Sequence, residues 1–160
     1  MHARLQTQAT RVIELGGRST LGYILRTQQA FYLEHDRFAL DIGELQVDAK
    51  RFTTNYKFKM FALKAPQSDV LPSGQNQAVW IAALPHKPQW QSYIGFVWRG
   101  LESPTFGFGN DQRKTAQPSS LSIVCRSNQP VAPAPSPPRL NNQGLHHSDA
   151  MCPQGYSLVK

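Results

Sequence analysis

Residues 3–34 read ARLQTQATRVIELGGRSTLGYILRTQQAFYLE, and this stretch contains no proline. Its apolar residues recur at spacings of three, four, seven and eight, which is typical of one face of an α-helix. They are Ile13, Leu21, Ile24, Leu25, Phe31 and Tyr32. The pattern predicts one long helix that ends near His35 and Asp36. Gly16 and Gly17 each cost about 1 kcal/mol relative to alanine, so a kink there, or a new start with Ser19 as N-cap, is a second interpretation.

The beginning of this helix is polar on nearly every side, with Arg, Gln and Thr at most positions between 4 and 11. A helix that packs into its own domain needs an apolar face. We therefore expect this end to project from the domain or to have lost a partner.

After the helix the hydrophobic period changes to two, which indicates β-strands. Residues 38–45 are predicted to form a short helical turn or an ordered loop. Turns that contain proline and glycine separate four predicted strands, at residues 54–61, 78–84, 92–99 and 121–125. The connections between them favour an antiparallel meander over crossovers. The predicted fold class is α+β, with a long N-terminal helix and a four-stranded antiparallel sheet.

The C-terminal part of the chain is rich in proline, with five prolines in residues 129–138. Such a segment is expected to be extended, like a polyproline helix, and to lie on the surface. We expect one globular domain in three parts. These are a helix at 1–35, a loop and sheet at 36–128, and a Pro-rich strap at 129–160.

Composition and charge exclude several classes of protein. The chain has 160 residues, with 17 Lys and Arg against 10 Asp and Glu and a formal net charge of +7. Apolar residues make up 40% and charged residues 17%, so a folded domain is expected in place of a disordered segment or a coiled coil. The longest apolar run, Ala78–Leu84, falls far short of the roughly 18 to 20 residues that a membrane helix needs.

The chain has two cysteines, Cys125 and Cys152. A disulfide between them would close a loop of about 28 residues and stabilise the fold by roughly 3 to 4 kcal/mol. The spacing leaves two interpretations open, this disulfide or two unrelated thiols in a reduced compartment. His146 and His147 do not complete a set of four ligands, so no metal site is predicted.

No catalytic motif stands out, so neither an enzyme nor a cofactor is predicted. Residues 106–109 read FGFG, but no helix pattern follows to supply a phosphate site at its N-terminus, and a flexible turn is the better interpretation. Glu34 and Asp36 lie at a polar helix end, where solvated carboxylates are the usual finding.

Aromatic residues are concentrated in the predicted strands. Trp80, Tyr93, Phe96 and Trp98 are expected to form the core between the sheet and the helix. Trp90 lies in the connection between two strands, and two interpretations are open for it: an adhesive contact on the surface or a cap on the edge of the sheet.

Several stretches together resemble one known family. They are LGYILRTQQAFYLE at 21–34, Phe38-Ala39, TNY at 54–56, YIG at 93–95, IVC at 123–125 and CPQGY at 152–156. In this order they are similar to the type IV pilin-like proteins of cyanobacteria known as the pilin G/H group, and they span most of the chain.

The resemblance implies a pilin fold, in which the helix packs on an antiparallel sheet and a disulfide between Cys125 and Cys152 closes the C-terminal loop. It implies a minor pilin or pseudopilin, located on the pilus or cell surface, whose partners are other pilin subunits and the assembly machinery. Proteins of this family begin with a leader and an apolar half-helix that this sequence lacks. Two interpretations are open, a sequence trimmed of this anchor or a natural soluble relative without it. We expect trimming, and we expect that the protein meets the membrane only through the anchor.

Nucleic acid is a further candidate partner, because a basic protein can neutralise phosphates without reading sequence. The cations that we select for a test are Arg51, Lys57, Lys59, Arg113 and Lys114. The alternative is that these are scattered solubilising charges. A freestanding extracytoplasmic binding module, which contacts DNA through this basic surface, is the second function that the sequence allows.

Overall fold

One long helix is followed by a β-rich region in the computed structural model, which describes residues 2–48, 50, 52, 54–63, 78–101, 118–130, 134–140 and 149–159. Helix α1 spans His2–His35, and a single 3-10 turn follows at Gly43–Leu45. The strands are β1 (Tyr56–Leu63), β2 (Ala78–Pro85), β3 (Tyr93–Leu101), β4 (Pro118–Ser127), β5 (Arg139–Leu140), β6 (Ala150–Met151) and β7 (Tyr156–Leu158).

The main sheet has the strand order β1-β2-β3-β4-β7, and every neighbouring pair is antiparallel. The α+β class and the antiparallel meander are confirmed, but the predicted count of four strands was wrong. The fifth strand, β7, pairs Ser157 with Arg126 of β4. It has three residues, which are too few to show a period of two in the sequence. Strands β5 and β6 form a separate pair.

Helix α1 runs without interruption through Gly16 and Gly17, so the interpretation with a new helix start at Ser19 was wrong. Gly17 is buried, and a Cβ atom at this position would lie 2.6 Å from the ring of Tyr56. The glycine therefore makes room for a tyrosine of β1 and does not break the helix.

The inner core lies between α1 and the sheet. The helix packs mainly on β3 and also reaches β2 and β4. Apolar side chains from the helix, from the loop after it and from alternate strand positions form one cluster, which includes Leu21, Ile24, Leu25, Tyr32, Phe38, Tyr56, Val79, Ile81, Tyr93 and Val97. Its four buried helix residues all belong to the set that the sequence pattern selected: Leu21, Ile24, Leu25 and Tyr32.

A second core lies on the sheet face that points away from the helix. Trp80, Phe96 and Trp98 belong to it, together with Ile94 and Ile123. The expectation that these three aromatics fill the space between helix and sheet was wrong, and it held only for Tyr93. The reason is strand geometry, because successive side chains point to opposite faces. Along one strand, position 93 cannot share a face with positions 96 and 98.

Gln28 fixes the loop that follows the helix. Its side chain is fully buried, and its Nε2 donates to the carbonyl oxygen of Ala39 at 2.8 Å. The backbone N–H of Ala39 donates to Oε1 of Gln28 at 2.9 Å. The amide therefore satisfies both backbone groups of one buried residue, which holds Phe38 and Ala39 against the core.

We predict that Gln28→Leu lowers the free energy of unfolding by about 2 kcal/mol, because the buried N–H and C=O of Ala39 lose their partners. Gln29→Leu is the matched control, since Gln29 makes one hydrogen bond, to the carbonyl of Ser120, from a partly buried position. Gln29→Leu is expected to lower the free energy of unfolding by less than about 1 kcal/mol. Urea unfolding of both variants measures the difference, and equal losses would contradict this role of Gln28.

Candidate functional site

The predicted disulfide joins Cys125 of β4 to Cys152, which follows β6. The Cα atoms of the two cysteines are 5.8 Å apart, and Cys125 is fully buried. Because the chain has only these two cysteines, neither is a free thiol. The first of the two interpretations of the cysteines is therefore correct.

The C-terminal segment is held against the outer face of the sheet. Leu140, Ala150 and Cys152 pack against the second core. Beyond the disulfide, the N–H of Val159 donates to the carbonyl of Val124 at 2.9 Å. The N–H of Asn128 donates to the carbonyl of Gly155, also at 2.9 Å. The last strand is thus fixed by a covalent bond at one end and by backbone hydrogen bonds along its length.

Two of the five selected cations lie side by side on the outer face. Lys57 and Lys59 are exposed on β1, and the intervening residues Phe58 and Met60 pack toward the helix. Arg51, Arg113 and Lys114 lie outside the described residues. The structure therefore brings together one pair of the predicted cations at the edge strand of the sheet.

An exposed aromatic side chain lies beside these two lysines on the same face of β1, and it was not predicted as a site residue. Phe61 is 39% exposed, and its ring stacks on that of Trp80 with centroids 4.4 Å apart. The alternation Lys57, Lys59, Phe61 on one face was readable from the period of two. We name these three residues the β1 row.

Trp90 is buried, and its ring stacks with that of Tyr56 at a centroid distance of 6.5 Å. The ammonium group of Lys87 lies 5.4 Å from the centroid of the Trp90 ring. Burial excludes the adhesive interpretation of Trp90 and favours a cap over β1 at the edge of the sheet.

The first part of α1 carries three exposed apolar side chains. Leu5, Val12 and Leu15 are 65%, 69% and 58% exposed. Their spacings of seven and three residues place them on one side of the helix. The sequence pattern predicted this stretch to be polar on nearly every side, although the spacing of these three apolar residues is visible in the sequence. We name these residues the helix stripe.

Buried tyrosines carry the clearest electrostatic shifts in the described residues. Burial raises the pKa of Tyr56 well above its ordinary value, and the neighbouring Tyr93 and Glu14 act in the same direction. The hydroxyl of Tyr56 donates to the carbonyl of Gln91 at 2.7 Å. Tyr56 is therefore a neutral structural group at physiological pH. At the surface, the hydrogen bond from Arg37 lowers the pKa of Glu44.

The described residues contain neither a metal-binding cluster nor a membrane-spanning helix. No cluster of three or more His, Cys, Asp or Glu side chains in the described ranges could hold a metal ion. Among the same residues, no helix is both long enough and apolar enough to cross a membrane.

Comparison with known proteins gave one match. The family described as type IV pilin-like G and H matches residues 14–153. This range begins within α1 and ends one residue after Cys152, so it contains both cysteines and the first four strands of the main sheet. Searches of curated proteins and of solved structures found no match.

Proposed function

The chain belongs to the type IV pilin-like G and H family, and we propose that it is a minor structural subunit of a type IV pilus or of a pilus-related secretion system. The family is structural and usually associated with the pilus or the cell surface. Its partners are then other pilin or pseudopilin subunits and the machinery that assembles them. In this proposal the protein turns over no substrate.

The observation that best supports assembly is the helix stripe. Leu5, Val12 and Leu15 are exposed along one side of α1, whereas the helix packs on its own sheet from Ile13 onward. Apolar side chains aligned on one helix side are suited to contact another helix. The stripe therefore provides a surface through which neighbouring subunits can pack.

An extracytoplasmic location is part of the proposal. The disulfide between Cys125 and Cys152 supports it, because disulfides persist in oxidising compartments and are rare in the cytosol. Its position is consistent with a structural role, since it ties the C-terminal segment to β4, which is paired on both sides within the sheet.

The test uses the full-length protein in its native cells. Pili and surface material are sheared off, and the protein is quantified there relative to the most abundant pilin. We expect it in the sheared fraction at a small molar ratio. A variant with Leu5, Val12 and Leu15 all changed to Gln should fall at least tenfold in that fraction.

Leu33→Gln is the matched control, because Leu33 lies on the same helix and is 80% exposed. It should leave the amount in the sheared fraction unchanged. Absence of the wild-type protein from this fraction, with normal piliation after deletion of its gene, would contradict the proposal.

A second candidate function is a freestanding extracytoplasmic module that binds nucleic acid. The β1 row supports it, because two exposed ammonium groups stand beside an exposed ring on which a base can stack. We expect retardation of single-stranded DNA in gel-shift assays at about 50 mM salt, which weakens as salt rises. Lys57→Gln with Lys59→Gln should abolish the shift.

Arg11→Gln with Lys50→Gln is the control for this experiment, since both residues are exposed and the change in net charge is the same. This control should retain binding. Equal weakening in both double variants would indicate an effect of net charge alone, and no retardation of the wild type would exclude the candidate function.

A further inference from the structure

A polar cavity lies between helix α1, the end of β4 and the edge strand β7. Its volume is about 410 Å³, and its lining includes Arg18 of α1, Arg126 of β4, Asn128 just after β4, and Ser157 of β7. We name it the β7 cavity. No part of the pilus proposal uses these residues.

Sheet register explains how the groups converge. Arg126 is paired with Tyr93 on one side and with Ser157 on the other, and directly paired residues project from the same face. Cys125 belongs to the outer core, so its neighbour Arg126 projects toward the side of the helix. Arg18 approaches from α1, between Gly17, which packs on Tyr56, and Leu21 of the inner core.

The lining is rich in hydrogen-bond donors. Arg18 and Arg126 are both exposed, and in the described residues the ion pairs are those of Glu34 with His35 and of Arg37 with Glu44. The hydroxyl of Ser157 donates to Oδ1 of Asn128. That hydrogen bond leaves the Nδ2 hydrogens of Asn128 available to a ligand.

One carboxylate lies near this cavity. Glu14 is one helical turn before Arg18, and its Oε1 accepts a hydrogen bond from the backbone N–H of Gln91 at 2.9 Å. Burial is the main cause that raises the pKa of the Tyr93 hydroxyl; Glu14 raises it further, and Arg126 and Arg18 lower it, so all three charged groups act on this tyrosine. Among the described residues that act on Tyr93, two guanidinium groups therefore face one carboxylate, and that carboxylate already accepts a hydrogen bond from the backbone.

We propose that the β7 cavity binds a tetrahedral oxyanion, a phosphate or sulfate group. Each guanidinium offers a planar fork of donors that matches such oxygens. Two forks and one amide together offer more donors than the roughly four acceptor positions of a carboxylate. A phosphate or sulfate has three or four oxygens and can use the whole set.

This site is separate from the β1 row. Lys57 and Lys59 lie on the outer face of the opposite edge strand, whereas Arg18 and Arg126 lie on the side of the helix. The two pairs carry the same charge, so each serves as the matched control of the other in a binding experiment with a small anion.

The test is a titration of the isotope-labelled protein with tripolyphosphate, followed by NMR. We expect saturable shifts of the amide signals of residues 126–128 and 157–159. Arg18→Gln and Arg126→Gln should each weaken binding at least tenfold. Lys57→Gln with Lys59→Gln should change the affinity less than twofold. Both arginines are exposed, so these variants are expected to fold, and their spectra verify this directly.

Further titrations separate the sources of the oxyanion. Tighter binding of a sulfated oligosaccharide or an oligonucleotide than of tripolyphosphate, with the same shifts and the same dependence on Arg18 and Arg126, supports an oxyanion carried by a polymer. Tighter binding of tripolyphosphate supports a free anion. The proposal is overturned if none of these probes gives saturable shifts, if citrate binds as tightly as tripolyphosphate, or if the lysine variant loses as much affinity as the arginine variants.

Discussion

Replacing Cys125 and Cys152 together by alanine is expected to lower the free energy of unfolding by about 3 to 4 kcal/mol, because an unfolded chain without the crosslink gains loop entropy. The two cysteines are 27 positions apart in the sequence. Alanine is preferred to serine because Cys125 is fully buried in the apolar outer core, where an unpaired hydroxyl would add a separate cost.

Urea unfolding with and without a reductant measures this effect and includes its own control. Reduction of the wild-type protein should bring its midpoint close to that of the double variant. The double variant itself should not respond to the reductant. If the unfolding free energies of the oxidised wild type and the double variant differ by less than about 1 kcal/mol, the backbone hydrogen bonds of β7 suffice to hold the C-terminal segment. That result would contradict the prediction.

The double cysteine variant should also lose stability locally, around strand β7. Strand β7 has three residues and lies at the edge of the sheet, and the disulfide closes the loop that leads to it. Amide exchange in the double variant should therefore accelerate first at Tyr156 and Leu158 and at Asn128, whose N–H bonds to Gly155. Amides of β2 and β3, in the centre of the sheet, should exchange only with global unfolding.

The sequence could predict those parts of the fold that depend on local period. Ile13, Leu21 and Ile24 specify one face of a long helix, and alternation along 54–61 specifies a strand. Strand β7 could not be predicted in this way, because three residues acquire a partner only when the disulfide and β4 bring them there. The same period of two could have corrected the placement of Phe96 and Trp98, since the even-numbered residues of β3 point to the sheet face opposite that of Tyr93.

The two candidate surfaces also differ in whether the sequence could predict them. Lys57, Lys59 and Phe61 are near neighbours on one strand, so their common face follows from the sequence. Arg18 and Arg126 come from opposite ends of the chain, and they meet only because Tyr93 pairs with Arg126 beneath the helix. No local pattern signals such a pair, and the β7 cavity therefore required the tertiary structure.

Gly95→Val is expected to lower the free energy of unfolding by about 3 kcal/mol or more, because overpacking a fixed helix–sheet contact forces side chains and backbone to move. A Cβ atom at position 95 would lie 2.9 Å from Cδ1 of Leu21 and 3.0 Å from both Cδ atoms of Leu25. Both leucines are buried in the inner core. The contact therefore has little freedom to relax.

Gly22→Ala is the control for this substitution, because a Cβ atom there meets only the side chain of Arg26, at 3.5 Å. That change should stabilise the protein by up to about 1 kcal/mol through helix propensity. A double-mutant cycle then identifies the contact. Gly95→Ala should lower the free energy of unfolding of the wild-type protein. In the Leu25→Ala background the same substitution should cost at least 1 kcal/mol less, because the effects of residues in contact are not additive. Additive losses in the cycle would show that the helix does not approach β3 as closely as Gly95 implies.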